Sequence, residues 1–127
     1  MNVISLGTDL IECQRVADVL DRHRDRFLKR MLTDAETAYC HTHRDPVPRI
    51  AGRFAAKEAI LKVIGTGWRG QIAWTDIEIT NDPLGQPLVR LTGQTAQLAA
   101  RRGVARILVS ITHTPHYAAA TAIGLAE

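Results

Sequence analysis

With 127 residues, 46% of them hydrophobic and 23% charged, the chain is sized and composed as one globular domain, residues 1–127, that needs no disulfide or structural metal. Its apolar runs fall short of the roughly 20 residues a membrane span needs, and its N-terminus meets Asp9 too early and lacks the basic start of a signal peptide. Cys13 and Cys40 are the only cysteines, so a cytoplasmic protein with reduced thiols is expected, and the net charge of +3 is modest but unevenly placed.

In chain order, "NVISLG" reads as a buried strand and "TDLIECQRVADVLDRH" as a helix capped by Thr8 or Asp9. The stretch from residue 15 to residue 30 holds six basic side chains (Arg15, Arg22, Arg24, Arg26, Lys29, Arg30) against Asp18, Asp21 and Asp25. That excess suits an acidic protein, a phosphate-bearing ligand or nucleic acid, or it forms a solvated helix face with local ion pairs. Few aromatic residues interleave with it, which argues against a single-strand stacking platform. "TDAETAYCHTH" predicts a second helix opened by Thr33 or Asp34 with Glu36 close behind, and "RDPVPR" a loop.

A long helix is expected from Val47 or Pro48 to Ile64, stopped by Gly65 and Gly67. "AWTDIEIT" and "PLVRL" read as strands joined by a tight turn at Asp82, Pro83 and Gly85. "GQTAQLAARRG" reads as a helix closed by Gly103, and "ARILVSITHT" and "HYAAATAIGLA" as two strands around a Thr114–Pro115 turn. The fold class expected is therefore α+β, an antiparallel sheet with a long central helix.

That central helix raises the chemical question. At about 100° per residue, Ile50, Phe54, Leu61 and Ile64 share one stripe, the expected core face, while Arg53 and Lys57 are expected to project elsewhere. Glu58 and Lys62 lie roughly 40° apart and one turn from each other, with the small Ala51 and Ala55 beside Glu58. An ordinary surface pair would explain them; in a helix apolar nearly all round, a buried acid and base point to function. Asp9 either caps a helix or offers a metal ligand at a strand end. Asp9 and Glu58, completed by phosphate oxygens and waters, would suit Mg²⁺. The "CHTH" and "HTPH" clusters lack the spacing of zinc ligands, whereas His113, beside Thr112 and Thr114, either holds a phosphate or serves as a turn histidine.

The segments "LGTDLIECQR", "GRFAAKEAILKVIGTG", "TDIEITNDPLGQP" and "VSITHTPHYAAATAI" resemble the holo-acyl-carrier-protein synthases in order and spacing, from about Ile4 to Ile123. These are the small, single-copy 4′-phosphopantetheinyl transferases. The resemblance implies transfer of phosphopantetheine from coenzyme A to a serine of an acidic apo acyl carrier protein, in lipid (fatty-acid) biosynthesis, with release of adenosine 3′,5′-bisphosphate. It implies that Asp9 and Glu58 hold Mg²⁺ on the pyrophosphate and that Lys62 contacts the phosphates in transfer. It further implies that Arg53, His113 and Thr114 surround the adenosine and its 3′-phosphate, with Gly65 and Gly67 in a nearby loop. Arg15, Arg22, Arg26 and Arg30 would dock the carrier, and a homotrimer with active sites at subunit interfaces is implied, with no nucleic-acid or membrane partner. Two rival readings stand beside it: a Mg²⁺-dependent phosphohydrolase using the same two carboxylates and lysine, and a non-catalytic basic module that binds an acidic protein or RNA through the helix of residues 15–30 and has no use for Asp9, Glu58 and Lys62.

Overall fold

The computed structural model describes residues 2–65 and 72–127. Its α+β architecture places a three-stranded antiparallel sheet, ordered β1 (Val3–Glu12), β5 (Tyr117–Leu125), β4 (Arg106–His113), against one long helix, α3 (Val47–Ile64). Helices α1 (Cys13–Met31) and α2 (Asp34–Cys40) also pack against α3. The hairpin β2 (Ile77–Asn81) and β3 (Pro87–Leu91) makes a second, two-stranded sheet, and α4 (Gly93–Arg101) leads from it to β4. The one antiparallel sheet expected is thus two.

Helix α3 is buried over most of its surface because its two sides meet different neighbours. Its small side, with Gly52, Ala59 and Val63, meets the sheet, where Ala118, Ala120 and Ala122 of β5 are themselves buried. Small residues on both surfaces let the backbones approach closely, and Gly7 of β1 marks the closest point. A Cβ there would collide with the Ala59 carbonyl oxygen and lie 2.8 Å from Lys62 Cβ. Gly7→Ala therefore forces β1 and α3 apart and should cost about 1–3 kcal/mol of stability, read as a lower urea midpoint at unchanged slope.

Several local expectations hold. Thr33 caps α2 in a reciprocal capping box with Glu36, and Gly65 ends α3 in the left-handed region at φ 84°. In the hairpin turn, Asp82 Oδ1 accepts from the amides of Leu84 and Gln86, both at 2.9 Å, and Gly85 adopts φ 88°.

Other expectations are corrected. Thr8 and Asp9 cap nothing: β1 continues through them to Glu12, paired with β5 from Thr8 opposite Thr121 to Glu12 opposite Tyr117. Strand pairing over those five residues outweighs the capping preference of two. Helix α1 starts at Cys13 and runs on to Met31, past the expected end, with a kink at His23 (φ −141°, ψ 36°). "AWTDIEIT" opens with a 3-10 turn at Trp74–Asp76 before β2. Nor is β1 a buried strand: Leu6 and Leu10 on its outer face are 64% and 65% exposed, because no described element covers the sheet opposite α3.

Candidate active site

The close approach at Gly7 brings the end of α3 against β1. Lys62 Nζ donates to the Thr8 carbonyl at 2.7 Å and lies 3.5 Å from Asp9 Oδ1. The Asp9 side chain is 21% exposed and that of Lys62 54%, so this ion pair faces solvent and is worth little as a stabiliser. Glu58, half-buried, sits one turn before Lys62 on α3. Sequence reasoning joins Asp9, Glu58 and Lys62, and the structure places the first and last side by side. The predicted buried acid and base are corrected in degree, since Glu58 is partly and Lys62 largely open.

As a metal site the donor set is sparse. Among the described residues no group of three or more His, Cys, Asp or Glu side chains could hold an ion. Two carboxylates, Asp9 and Glu58, suit a hard cation that keeps several waters and takes its remaining ligands from phosphate oxygens, which fits Mg²⁺ and not a fully caged ion.

A second cluster lies on another side of α3. Arg53, 4% exposed, donates through Nη2 to Asn81 Oδ1 at 2.7 Å and to the Ile79 carbonyl at 3.2 Å. Its guanidinium carbon stands 4.4 Å from the centre of the Tyr39 ring, a cation–π contact. Its buried Nε has no hydrogen-bond partner. Tyr39, Arg49, Arg53, Asn81 and His113 line one cleft of about 160 Å³. Burial first, then the nearby Arg49 and His43, push the His113 pKa below 6.5, so its ring is neutral at pH 7. No carboxylate pairs with Arg49 or Arg53 among the described residues, which leaves two guanidinium groups beside an imidazole for an anion. Two roomier hollows, of about 320 Å³ beside α4 and about 520 Å³ at the start of α1, carry no comparable set of cations.

The remaining predicted residues are placed as follows. The Thr114 hydroxyl accepts from the amides of His116 (3.3 Å) and Tyr117 (3.1 Å), shaping the turn between β4 and β5. Gly65 leaves room for the Arg102 guanidinium, whose Nη1 lies 2.9 Å from where a Cβ would stand. Gly67 lies outside the described residues. Arg15, Arg22, Arg26 and Arg30 are all exposed on α1, and no charge of that helix forms an ion pair among the described residues.

Within one chain the two clusters do not merge. Asp9 pairs with Ala120 of β5, whereas His113 on the far strand pairs with Ala118, so the full width of the sheet separates them. Glu58 and Arg53 diverge by roughly 140° around α3.

The buried charges of α3 are not the expected ones. Lys57 is fully buried and bonded to Glu36, and Arg53 is nearly so. The same helical arithmetic could have found Lys57: it falls in the middle of the Ile50, Leu61 and Ile64 stripe, not away from it. Sequence reasoning also misses Arg49, which lies in the first turn of α3, inside the helix it expected.

Residues 5–122 match the model of the 4′-phosphopantetheinyl transferase superfamily. A holo-[acyl-carrier-protein] synthase of Koribacter versatilis is 43% identical over 121 residues, 95% of this chain and 97% of its own. Among solved structures, the Plasmodium yoelii acyl carrier protein synthase with ADP bound is 31% identical with a TM-score of 0.89, covering 99% of this chain and 97% of its own. The Helicobacter pylori holo-[acyl-carrier-protein] synthase in complex with coenzyme A is 27% identical with a TM-score of 0.84, covering 95% and 100% respectively. A full-length match in sequence, together with the same fold, places this chain in the 4′-phosphopantetheinyl transferase superfamily, among its holo-[acyl-carrier-protein] synthases.

Proposed function

We propose that the chain, as one domain, transfers 4′-phosphopantetheine from coenzyme A to a serine of an apo acyl carrier protein and releases adenosine 3′,5′-bisphosphate. The observation that carries this reading is the meeting of Asp9 with Lys62, one turn from Glu58, in a chain of this family. Family membership favours transfer over the phosphohydrolase and the non-catalytic module.

Asp9 and Glu58 would hold Mg²⁺, which when bound neutralises charge on the pyrophosphate oxygens. The Lys62 ammonium reaches the same phosphates and stabilises the charge that grows as the bond to the nucleotide breaks. The carrier serine oxygen forms the new bond to phosphorus, its proton passes to a carboxylate oxygen of Glu58, and the bisphosphate leaves with the electron pair of the broken P–O bond. Arg49, Arg53 and His113 line the cleft that takes the adenosine bisphosphate end.

The clusters, apart in one chain, complete each other when one subunit's Arg53–His113 cleft faces another's Asp9–Glu58–Lys62 edge. The uncovered apolar face of the sheet, with Leu6, Leu10 and Leu108, supports such packing, and a homotrimer is the assembly we assign. No described helix is long and apolar enough to cross a membrane, and a cytoplasmic location suits the substrates. The exposed arginines of α1 attract an acidic carrier, with neither nucleic acid nor membrane as partner.

Release of 3′,5′-ADP from coenzyme A, followed by chromatography, tests the reading. It should require an apo carrier and vanish when the carrier serine is replaced by alanine; release without a carrier would mean hydrolysis. Reversing Arg22 and Arg26 to Glu should raise the carrier KM about tenfold or more at low salt, with a smaller effect at high salt, and leave the coenzyme A KM unchanged.

A pH dependence follows from His113. In the free protein its pKa lies below 6.5, and a bound phosphate raises it, so binding takes up a proton between the two values. Affinity for 3′,5′-ADP should rise as pH falls through that window. Titration calorimetry in buffers of different ionisation enthalpy would detect the proton, and His113→Asn should abolish its uptake.

A further inference from the structure

A fully buried charge, Lys57, has no part in the chemistry above. Lys57 Nζ donates to Met31 O at 2.6 Å, Glu36 Oε1 at 2.7 Å and Trp74 O at 3.1 Å. These are the three bonds an ammonium can make, and they reach three separate elements: the last residue of α1, the first turn of α2 and the 3-10 turn before β2. Glu36 is equally committed. It accepts from the Thr33 amide at 2.9 Å and, through Oε2, from the Ile79 amide at 3.0 Å. With both side chains fully buried and saturated, neither can touch a substrate.

Stability alone is a weak reason for such a pair, because an apolar replacement of similar volume commonly serves as well. Its placement supplies a better one. The segment of α1 after the kink at His23 carries Arg26 and Arg30; Leu28 and Met31 seat it in the core, and the bond from Lys57 at Met31 adds a directional tie that apolar packing lacks. Met31 O is among the last carbonyls of the helix, which lack helical partners and sit at its negative end. Lys57 is also the residue before Glu58, on the same rigid helix.

We propose that Lys57 is a positioning residue for carrier docking: its ammonium pins the end of α1 to α3 and so sets where Arg26 and Arg30 stand relative to Glu58. This rests on the transferase reading above. It assigns no contact with coenzyme A or the carrier to Lys57 itself.

The test uses Lys57→Met combined with Glu36→Gln, which removes both charges together and keeps a side-chain oxygen that accepts from one of the two amides, of Thr33 or Ile79. Carrier KM should rise about tenfold, while kcat, the coenzyme A KM and the assembly state measured by light scattering stay within about twofold. Amide hydrogen exchange should quicken over residues 24–31 and not over 13–22. Arg30→Ala should cost less carrier affinity in this background than in the unaltered chain, whereas Arg15→Ala, before the kink, should cost the same in both. A role confined to stability would instead lower kcat with the melting temperature and leave carrier KM unmoved, and that result overturns the proposal. So would unchanged exchange over residues 24–31. If the unaltered chain transfers nothing, the transferase reading fails, and the exchange measurement alone then decides whether Lys57 is a pin.

Discussion

Glu58→Gln should lower phosphopantetheine transfer by about a thousandfold, the scale on which preorganised charge stabilisation acts in such sites. The substitution keeps the size of the side chain and removes one of the two carboxylates, Asp9 and Glu58, proposed to hold the cation. Folding should survive, because Glu58 is half-buried and the core of α3 is built by Ile50, Ile60, Leu61 and Ile64. Affinity for 3′,5′-ADP without metal should also survive, since Arg49, Arg53 and His113 lie on another side of the helix. The measurement is single-turnover transfer beside a thermal melt. Loss of transfer with an unchanged melt is the expected pair; a variant that retains transfer would remove Glu58 from the site.

Glu36→Leu should have the largest effect on stability, about 3–5 kcal/mol, because it leaves the buried ammonium of Lys57 without its anion. It also strips the amides of Thr33 and Ile79 of their acceptor. Burial already pushes the Lys57 pKa below 10.5, opposed chiefly by Glu36, so the substitution lowers it further. The sign of the pH dependence follows. Between the lowered folded value and 10.5 the unfolded chain binds more protons, so stability rises with pH across that window. The deficit of the variant, followed by urea unfolding, should therefore shrink as pH rises toward 10.5. A deficit that does not change with pH would mean that Lys57 is not the group left stranded.

What could be read from the sequence divides by the range of the forces involved. The Thr33–Glu36 capping box and the Asp82–Gly85 turn are local, and residue types within four positions determine them. Thr8 and Asp9 carry an equally local capping signal, but pairing with β5, more than a hundred residues away, overrides it. The halves of the anion cleft are set by the same kind of distant contact. Arg53 stands out as a charge in an apolar helix, yet only the folded chain shows that Tyr39 stacks on it and Asn81 accepts from it. For Asp9, Glu58 and Lys62 the residue types and the family resemblance sufficed to nominate the site. The contact at Gly7 that brings Lys62 to β1 is visible only in three dimensions.

The outer face of the sheet follows the same logic. The apolar stretch "NVISLG" reads as a buried strand, whereas its outer face is open and Leu6 is 64% exposed. Apolar side chains along a strand report that something covers them, not whether the cover belongs to the same subunit.

The most direct test of the central claim is the intact mass of an apo acyl carrier protein after incubation with this chain, coenzyme A and Mg²⁺, with EDTA as the control. One added phosphopantetheine, roughly 340 Da, on the carrier serine, lost with EDTA and lost with Glu58→Gln, is the result the metal-assisted mechanism predicts. An unmodified carrier across several candidate acceptors, with the chain folded and coenzyme A intact, would contradict it.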